Sequence, residues 1–382
     1  MRASMLALFS TLMSACASPW EPAFDEQLRD EERGKVEIAP AAEALTFARR
    51  STPQGPQLIA VTGWQDGRIA GLAVAAPGAG GDAIALLRER GYDALRDEVL
   101  AAAAAARVTV PADELLSPVD FDAAHIAVGT NYPEHASDAG TTRPFLFPKL
   151  VRPTGSGSSV HAGDGLLDYE VEIAVVPLEP LAGGTAPELL GLMVANDFTD
   201  RATLMRAVDR NDIESGKGFT TGKSFEGYLP VGSLLVVARN WRSFMAGLEL
   251  RLFVNGRLRQ RSRASEMVWN VDEMLAQIHK RKATAWEHRG AQVPLLPGDA
   301  IAARTLILTG TPHGTVFSGM PPRFIAGGLA RWLLGGWDRS VPERVIEAYV
   351  DGARGAGAYL QPGDEVLIHV QRLGQIRSQV TR

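Results

Sequence analysis

The stretch DYEVEIAVV, residues 168–176, places Glu170 and Glu172 inside a run of strand-forming residues. Because alternate side chains of a β-strand point to the same face, the two carboxylates should point together beside a stretch that is otherwise buried. Two neighbouring carboxylates that leave water repel each other unless a cation or a proton intervenes. The stretch therefore predicts a strand beside a buried segment and leaves open whether a cation or a proton accompanies its acidic pair.

The overall composition is that of a globular protein with enough apolar residues for a sizeable core. The chain has 382 residues, of which 46% are hydrophobic and 22% are charged. This length suits one large domain or two moderate ones. The net charge of −5 gives no reason to expect a basic face for nucleic acid. Beyond the N-terminus, no stretch is apolar for long enough to span a bilayer.

The first residues, MRASMLALFSTLMSAC, have the layout of a secretory signal. They also resemble a bacterial lipoprotein signal, in which the cysteine is lipidated and becomes the new N-terminus. We therefore expect residues 1–16 to be a signal peptide with lipidation at Cys16, and residues 17–38 to be an acidic linker. A lipid anchor would place the protein in the periplasm, attached to the outer membrane. A disordered leader or a misassigned start codon is the alternative, and the protein would then be cytoplasmic.

The rest of the chain divides into two regions that differ in their secondary-structure patterns. Residues 39–118 contain two strand patterns around the turn Asp66-Gly67, then helical patterns interrupted at Gly91, so we expect a small α+β domain. From residue 119 to residue 382, short apolar strands alternate with Gly, Pro, Asn and Asp, which predicts a β-rich domain. One helix is expected within residues 266–281, and two more within residues 315–359. The fold class is therefore α+β and rich in strands.

A third carboxylate completes a candidate metal site. Asp197 follows Asn196 at the end of the strand pattern GLMVAN, where its side chain can face the same pocket as Glu170 and Glu172. Three carboxylates without a cluster of Cys or His make an all-oxygen site, which favours Mg²⁺, Mn²⁺ or Ca²⁺ over Zn²⁺. Taken alone, a Glu pair on a strand is more often a solvated edge, and Asp after Asn is more often part of a turn.

An ordered set of motifs resembles the fumarylacetoacetate hydrolase superfamily over roughly residues 119–380. The motifs, in chain order, are VGTNYPEHASD (128–138), PFLFPKL (144–150), DYEVEIAVV (168–176), GLMVANDFTDR (191–201), GKSFEGYLPVGSLLV (222–236), LILTGTPHG (306–314) and LQPGDEVLIHVQRLGQIRSQV (360–380). This resemblance implies a mixed β-roll in which Glu170, Glu172 and Asp197 bind Mg²⁺ or Mn²⁺, with Ca²⁺ as an alternative.

The resemblance also implies the roles of the remaining site residues. His135 would be the general base on a lid, and Asp138, where the family usually has Glu, would orient it. Lys223 would stabilise developing negative charge. The expected substrate contacts are Tyr132, Lys149 and Thr311. Arg201 is expected to support the loop of Asp197 by ion pairing.

Two departures from the family pattern bear on specificity. The chain has extra residues between Asp197 and Lys223, and it has an insertion over about residues 315–359. Loops beside a site set its specificity. The natural substrate is therefore expected to differ from those of the compact members of the family.

The function implied by the resemblance is divalent-metal-dependent hydrolysis of a carbon–carbon bond in a 1,3-diketo or acylpyruvate-type acid, through a metal-stabilised enolate. The alternatives are a decarboxylase, isomerase or hydratase of a 2-oxo acid, and a non-catalytic carboxylate-binding protein of the cell envelope. The expected partner is a small 2-oxo or diketo acid and not a nucleic acid. Membrane contact is expected only through the N-terminal lipid, and a homodimer is the assembly we consider.

Overall fold

The computed structural model describes residue 20 and residues 24–29, 32, 35–75 and 81–382. Strands make up much of this part of the chain: β1 (Ala44–Thr52), β2 (Gly55–Gln65), β3 (Arg68–Val74), β4 (Arg107–Pro111), β5 (Leu115–Leu116), β6 (Ala124–Gly129), β7 (Phe145–Leu150), β8 (Ser159–His161), β9 (Leu167–Asp168), β10 (Val171–Pro177), β11 (Leu190–Asn196), β12 (Thr199–Asp200), β13 (Leu235–Ala238), β14 (Glu249–Val254), β15 (Arg257–Arg263), β16 (Ala285–His288), β17 (Ala291–Pro294), β18 (Ile307–Leu308), β19 (Glu365–Val370) and β20 (Gly374–Thr381).

The helices of the same residues lie outside the sheets. They are α1 (Ala83–Arg90), α2 (Tyr92–Ala101), α3 (Pro133–Ala139), α4 (Arg201–Ala207), α5 (Phe219–Lys223), α6 (Trp241–Ala246), α7 (Val271–Lys280), α8 (Pro322–Leu333) and α9 (Val341–Gly355). Single 3₁₀ turns occur at Ala104–Ala106, Ala112–Glu114, Ile213–Ser215 and Ala264–Glu266.

Two mixed sheets organise the described residues. The larger has eleven strands in the order β4-β3-β2-β1-β13-β11-β10-β18-β6-β7, with β5 beside β1. Its neighbours are antiparallel except for β18 and β6, which are parallel. The smaller has five strands in the order β15-β14-β19-β20-β8, of which β20 and β8 are parallel. The predicted α+β, β-rich fold is confirmed.

The centre of the larger sheet contains β10, which includes most of the stretch DYEVEIAVV, and its neighbour β11. Every residue of β10 and β11 is buried, so both faces of these strands are covered. A strand covered on both faces is apolar along its whole length and does not alternate with polar residues. Acidic residues at the start of β10 therefore interrupt a core, which points to function rather than to a solvated edge.

Local signals in the sequence correctly mark two chain reversals. Asp66 and Gly67, between β2 and β3, have φ of 50° and 70°. Positive φ at both central residues is the geometry of a tight hairpin turn that matches the twist of the strands. Gly91, between α1 and α2, has φ of 77°, which ends the first helix and starts the second.

The helix expected within residues 266–281 is shorter than predicted. It begins at Val271 because the Asn270 side chain accepts a hydrogen bond from the Glu273 backbone N–H, while the Glu273 carboxylate accepts one from the Asn270 N–H. This reciprocal cap fixes the first turn. Met267 and Val268 share the apolar spacing of the helix, but they precede its cap.

The N-terminal region does not pack as a separate unit, in contrast to the predicted boundary between residues 118 and 119. β1 pairs with β13 over residues Ala44 to Phe47, so the strands of residues 39–118 extend the same sheet. Leu45 and Phe47 are buried in the same apolar cluster as the strands around the site. Backbone hydrogen bonds and apolar contacts therefore cross the predicted boundary.

The described part of the expected linker also packs on the body of the protein. The Leu28 N–H donates to the Gly256 carbonyl at 2.7 Å, and the Phe24 and Leu28 side chains contact an apolar cluster of the smaller sheet. The indole N–H of Trp20 donates to the Tyr349 hydroxyl at 3.3 Å. The described residues of this segment therefore contact the folded body, and the linker over residues 17–38 stays a prediction. Cys16 and the rest of the expected signal lie outside the described residues.

The insertion over residues 315–359 contains the two expected helices, α8 and α9. α9 packs against α4 through Ile346, Tyr349 and Val350, which contact Ala202 and Met205. Because Arg201, Leu204 and Met205 of α4 line the cavity beside the carboxylates, the insertion supports that wall. Within the described residues, no helix combines the length and apolar character that crossing a membrane requires.

Candidate active site

The three predicted metal ligands meet in the protein interior. Carboxylate oxygens of Glu170, Glu172 and Asp197 all lie within 4.8 Å of one another, and all three residues are buried. Strand pairing sets this spacing, because Val171 of β10 lies opposite Asn196 of β11. The Asn196 side chain accepts a hydrogen bond from the Glu170 N–H at 3.0 Å, and the Asp197 N–H donates to the Glu170 carbonyl at 3.0 Å. The backbone thus holds the carboxylates together.

Two buried cations contact Glu170. Lys223 Nζ lies 2.7 Å from Glu170 Oε2 and 2.8 Å from Asp197 Oδ2. Arg201 Nη2 lies 2.6 Å from Glu170 Oε1, and its Nε lies 2.8 Å from Asp168 Oδ2. Burial by itself raises the pKa of Glu170, but Lys223 and Arg201 outweigh burial and lower that pKa to about 2. Glu170 is therefore ionised at neutral pH.

Glu172 has a different environment. Within the described residues, no Lys or Arg side chain forms an ion pair with it, and its Oε2 accepts a hydrogen bond from the Gly310 N–H at 2.7 Å. Burial, together with the charges of Asp197 and Glu170, raises the pKa of Glu172 well above its usual value. The carboxylate thus occupies a position that another positive charge would stabilise.

Gly310 is required at this contact. It has φ of 87°, and a Cβ added there would lie 2.8 Å from the Asn131 Cβ and 3.0 Å from the Val128 carbonyl oxygen. Any other residue at this position would therefore have an unfavourable backbone conformation, and its Cβ would lie too close to these atoms. The glycine of the TGTP motif thus allows its backbone N–H to donate to the Glu172 carboxylate.

The donor set fits a divalent cation. Four buried carboxylates, those of Asp168, Glu170, Glu172 and Asp197, are matched by three buried cations, those of Lys149, Arg201 and Lys223. All potential ligands are oxygens, the donors that Mg²⁺, Mn²⁺ and Ca²⁺ prefer. Glu170 and Asp197 crowd the Glu172 carboxylate, and a bound cation would relieve the repulsion among the three carboxylates. Glu170, Glu172 and Asp197 would hold the ion.

A cavity of about 130 Å³ opens beside these carboxylates. Its lining includes Glu170, Asp197, Arg201, Lys223 and Thr311, together with His135 of α3. His135 is buried, and its Nδ1 has no hydrogen-bond partner among the described residues. Burial is the main cause that lowers the pKa of His135 to about 4, so the imidazole is neutral at pH 7. A neutral ring facing the cavity can accept a proton there.

Asp138 does not pair with His135 in this structure, which corrects the expected dyad. Its Oδ2 lies 2.6 Å from Nδ1 of His313, the residue that follows the TGTP motif. The shorter aspartate side chain is thus directed at the TGTP loop, and the pair joins α3 to that loop. A catalytic role for Asp138 through His135 has no direct contact to support it, while the role of His135 as a base stays a prediction.

Comparisons with known proteins agree with this geometry. Residues 124–381 match the sequence profile described as fumarylacetoacetate (FAA) hydrolase, C-terminal. That match covers more than half of the chain. The chain belongs to the fumarylacetoacetate hydrolase family.

The relatives to which the chain is similar include one with a named activity. The chain is 29% identical over 213 residues to oxaloacetate tautomerase YisK of Bacillus subtilis, a match covering 53% of this chain and 63% of that protein. It is 30% identical over 200 residues to an uncharacterized protein of Pyrococcus horikoshii, covering 50% of this chain and 76% of that protein.

Solved structures of the family show the same fold. A putative HpcE protein from Mycobacterium smegmatis superposes with a TM-score of 0.55 at 23% identity, covering 88% of this chain and all of that one (100%). A 2-hydroxyhepta-2,4-diene-1,7-dioate isomerase from Mycobacterium marinum superposes with a TM-score of 0.52 at 18% identity, covering 88% of this chain and 98% of that one.

Two of the family-based substrate contacts lie away from the cavity. Lys149 is buried behind Asp197, with Nζ 2.6 Å from Asp197 Oδ1 and 3.0 Å from the Tyr228 carbonyl oxygen. Burial lowers the pKa of Lys149, although Asp197 opposes that effect. Tyr132 is fully buried near Glu172, and its hydroxyl finds no hydrogen-bond partner in the part of the chain that the structure describes. Neither residue lines the cavity, so Lys149 supports a metal ligand and is not placed to contact substrate.

Thr311 does line the cavity, but its hydroxyl is already engaged. Its Oγ1 donates to the Val171 carbonyl at 3.0 Å and accepts from the Gln260 side-chain amide at 2.9 Å. These bonds fix the TGTP loop against β10. The expected contact between this hydroxyl and substrate stays a prediction, and it would require these bonds to rearrange.

Sequence reasoning missed Asp168 and His313. Asp168 accepts hydrogen bonds from Arg201 and from the backbone N–H groups of Val316 and Phe317, so it anchors the insertion beside the site. The signal for Asp168 was present, because residues 168, 170 and 172 share one face by strand alternation. His313 had no such signal beyond its position next to the TGTP motif.

The ion pairs of Lys223 lead to a stability prediction. Lys223→Met should lower the free energy of unfolding by about 3 kcal/mol in the presence of chelator, because two buried carboxylates lose a cation. Saturating Mg²⁺ should restore much of that loss, because the ion binds only the folded protein. Urea denaturation with and without Mg²⁺ measures both effects. Lys217→Met removes an exposed ion pair with Asp209 and should change stability by less than about 0.5 kcal/mol. Equal losses in the two variants would contradict the assignment.

Proposed function

We propose that the protein is a divalent-metal-dependent hydrolase that cleaves a carbon–carbon bond in an acylpyruvate-type 2-oxo acid. The observation that supports this proposal best is the position of His135. A neutral imidazole with an unpartnered Nδ1 lines the same small cavity as the acidic triad. Hydrolysis needs a base to activate water beside the group that polarises the substrate, and this cavity offers both.

The roles of the chain's own residues follow from their positions. A divalent ion held by Glu170, Glu172 and Asp197 would act as a Lewis acid on the substrate's oxo group. His135 accepts the proton of a water molecule as that water attacks the acyl carbonyl. The bond between the acyl carbon and the adjacent methylene then breaks, and its electron pair stays with the pyruvate fragment, which takes up a proton. Lys223 holds Glu170 and Asp197 in place during these steps.

A second candidate activity is enol–keto tautomerisation of a 2-oxo acid. The similarity to oxaloacetate tautomerase YisK of Bacillus subtilis favours it. The same site would suit this reaction, because a cation beside a 2-oxo acid and a nearby base promote proton transfer at the adjacent carbon. No water attack is needed, so the two reactions can be separated by their dependence on activated water.

Metal removal tests the proposed function. The full chain with Mg²⁺ or Mn²⁺ should convert acetylpyruvate to acetate and pyruvate, and chelator should lower the rate by about 10³-fold, since Lewis-acid stabilisation is worth several kcal/mol. Loss of the enol absorbance and enzymatic detection of pyruvate measure the reaction. Adding back metal serves as the control. Tautomerisation of oxaloacetate without any hydrolysis would favour the second candidate. Metal binding without turnover of either compound would favour a carboxylate-binding protein instead.

A further inference from the structure

The insertion over residues 315–359 carries a cluster of exposed apolar side chains. Of the eight large hydrophobic residues that are exposed within the described chain, five belong to α8 and the loop after it. We call these five residues the α8 patch: Ile325, Leu329, Leu333, Leu334 and Trp337. Single exposed apolar side chains are ordinary, but a group of them on one element indicates contact with an apolar partner.

The α8 helix presents this patch on a side that α9 leaves exposed. Ile325, Leu329 and Leu333 recur at four-residue spacing, which places them along one side of the helix. A different side packs closely on α9, because a Cβ added at the buried Gly328 would lie 2.5 Å from the Val345 Cα. The apolar stripe is therefore not used in the packing of the helix pair.

The loop after α8 is held in place by α9. Arg344 Nε donates to the Gly336 carbonyl at 3.1 Å, and the same guanidinium pairs with Asp338. These contacts fix the residues on both sides of Trp337. The indole is thus presented to solvent by a loop that is bonded to the body of the protein.

The N-terminal part of the chain reaches the folded body at the start of α8. The Trp20 ring lies 5.9 Å from the Phe324 ring and 6.2 Å from the Tyr349 ring, between centroids. The Arg323 guanidinium lies 5.3 Å from the Trp20 ring centroid. Cys16 precedes Trp20 by four positions, which an extended chain spans in about 14 Å at most. A lipid on Cys16 would therefore be attached close to the helix that carries the patch.

The charges beside the patch suit a phospholipid surface. The α8 sequence contains Arg323 and Arg331 and no Asp or Glu. Arg331 pairs with Asp351, whereas Arg323 forms no ion pair within the described residues and lies against aromatic rings. Helices that lie in a membrane interface combine leucine and tryptophan on one side with basic side chains that attract lipid phosphates. The patch and its flanking arginines have this combination.

We propose that the α8 patch binds the interface of a phospholipid bilayer, with Ile325, Leu329 and Leu333 against the acyl chains and Trp337 at the level of the headgroups. The position of Trp20 favours this partner over a second protein, because it brings the predicted lipidation site to the same edge of the molecule. Stable anchoring by lipid generally takes two signals, and the patch supplies one of them. This inference does not depend on the proposed function.

Vesicle binding by matched variants tests the inference. Every comparison uses the full chain with Cys16→Ser, which removes the predicted lipid and keeps the rest of the N-terminal segment the same. Leu329→Glu combined with Leu333→Glu should bind vesicles of mixed phosphatidylcholine and phosphatidylglycerol at least about 10-fold more weakly, because charges replace two apolar contacts. Trp337→Glu, outside the helix, should weaken binding in the same direction without depending on the stability of α8.

Two leucines elsewhere on the surface provide the control. Leu100 and Leu116 are 55% and 43% exposed, close to the 44% and 60% of Leu329 and Leu333. Leu100→Glu combined with Leu116→Glu should therefore leave vesicle binding unchanged. Co-sedimentation with vesicles measures the binding, and circular dichroism with thermal unfolding verifies that each variant is folded.

The outcomes separate a membrane contact from a protein contact. Weakened vesicle binding in the α8 variants but not in the control supports the proposal. Equal binding by all variants, or no binding by the parent chain, would overturn it. A parent that sediments as a dimer and becomes a monomer in the α8 variants, with vesicle binding unaffected, would assign the patch to contact between two copies of the chain and refute the membrane site.

Discussion

Replacing Glu172 with glutamine is expected to reduce metal-dependent turnover by about 10³-fold or more, while the metal-free protein stays at least as stable as the wild type. Glu172 is a predicted ligand whose carboxylate is crowded by Glu170 and Asp197 and has no ion-pair partner among the described residues. Glutamine keeps the shape, still accepts the hydrogen bond from Gly310, and removes the like-charge repulsion. Activity and folding should therefore respond in opposite directions.

Three measurements on Glu172→Gln distinguish a ligand from a structural carboxylate. Titration with Mn²⁺, followed by electron paramagnetic resonance, should show weakened binding. Thermal unfolding in chelator should show an unchanged or raised midpoint. Glu179→Gln is the matched control, because Glu179 is exposed two residues beyond the end of β10 and should leave metal binding and turnover unchanged. Full turnover with normal Mn²⁺ affinity in Glu172→Gln would refute the metal site.

Replacing His135 with alanine should lower hydrolysis of an acylpyruvate by about 10²–10⁴-fold, the usual effect of losing a general base. His135 lines the cavity, is neutral at pH 7, and has an Nδ1 that no other group in the described structure engages. The substitution removes the proton acceptor but none of the acidic triad. Turnover numbers, measured at saturating substrate and metal, therefore report on the proton-transfer step.

The comparison of two reactions makes the His135 prediction specific. Metal affinity of His135→Ala should equal that of the wild type, which shows that the site remains intact. Decarboxylation of oxaloacetate, if the wild type catalyses it, should decline less than hydrolysis, because no water attacks in that reaction. Equal losses in both reactions would show that His135 binds substrate and does not activate water.

The sequence by itself determined the framework of the protein and the identity of its acidic triad. Apolar runs identified β10 and β11. Asp66-Gly67 marked the turn between two strands, and Gly91 marked the break between two helices. These features depend on local backbone preferences, which act between near neighbours. The triad was predictable as a candidate, because carboxylates inside an apolar strand conflict with burial unless they bind something, but the family resemblance was needed to prefer a metal site over a solvated edge.

Only the tertiary structure decided which ionisable side chains pair with each other. Asp138 and His313 are separated by 175 positions in the chain, and only the packing of α3 against the TGTP loop brings them to 2.6 Å. Lys149 was expected at the substrate, but the fold buries it behind Asp197. Within an interior of many charges, each side chain pairs with whichever opposite charge the surrounding elements place within reach.

The apolar lining of the cavity beside the triad arose in the same way. Phe147 belongs to β7, Leu204 to α4 and Ile213 to a separate turn, and none of their local patterns distinguishes a cavity wall from ordinary core. Sequence periodicity reports which face of an element avoids water. It does not report whether that face packs against another side chain or lines a cavity. The outcome depends on where elements distant in the sequence end, which only the tertiary structure determines.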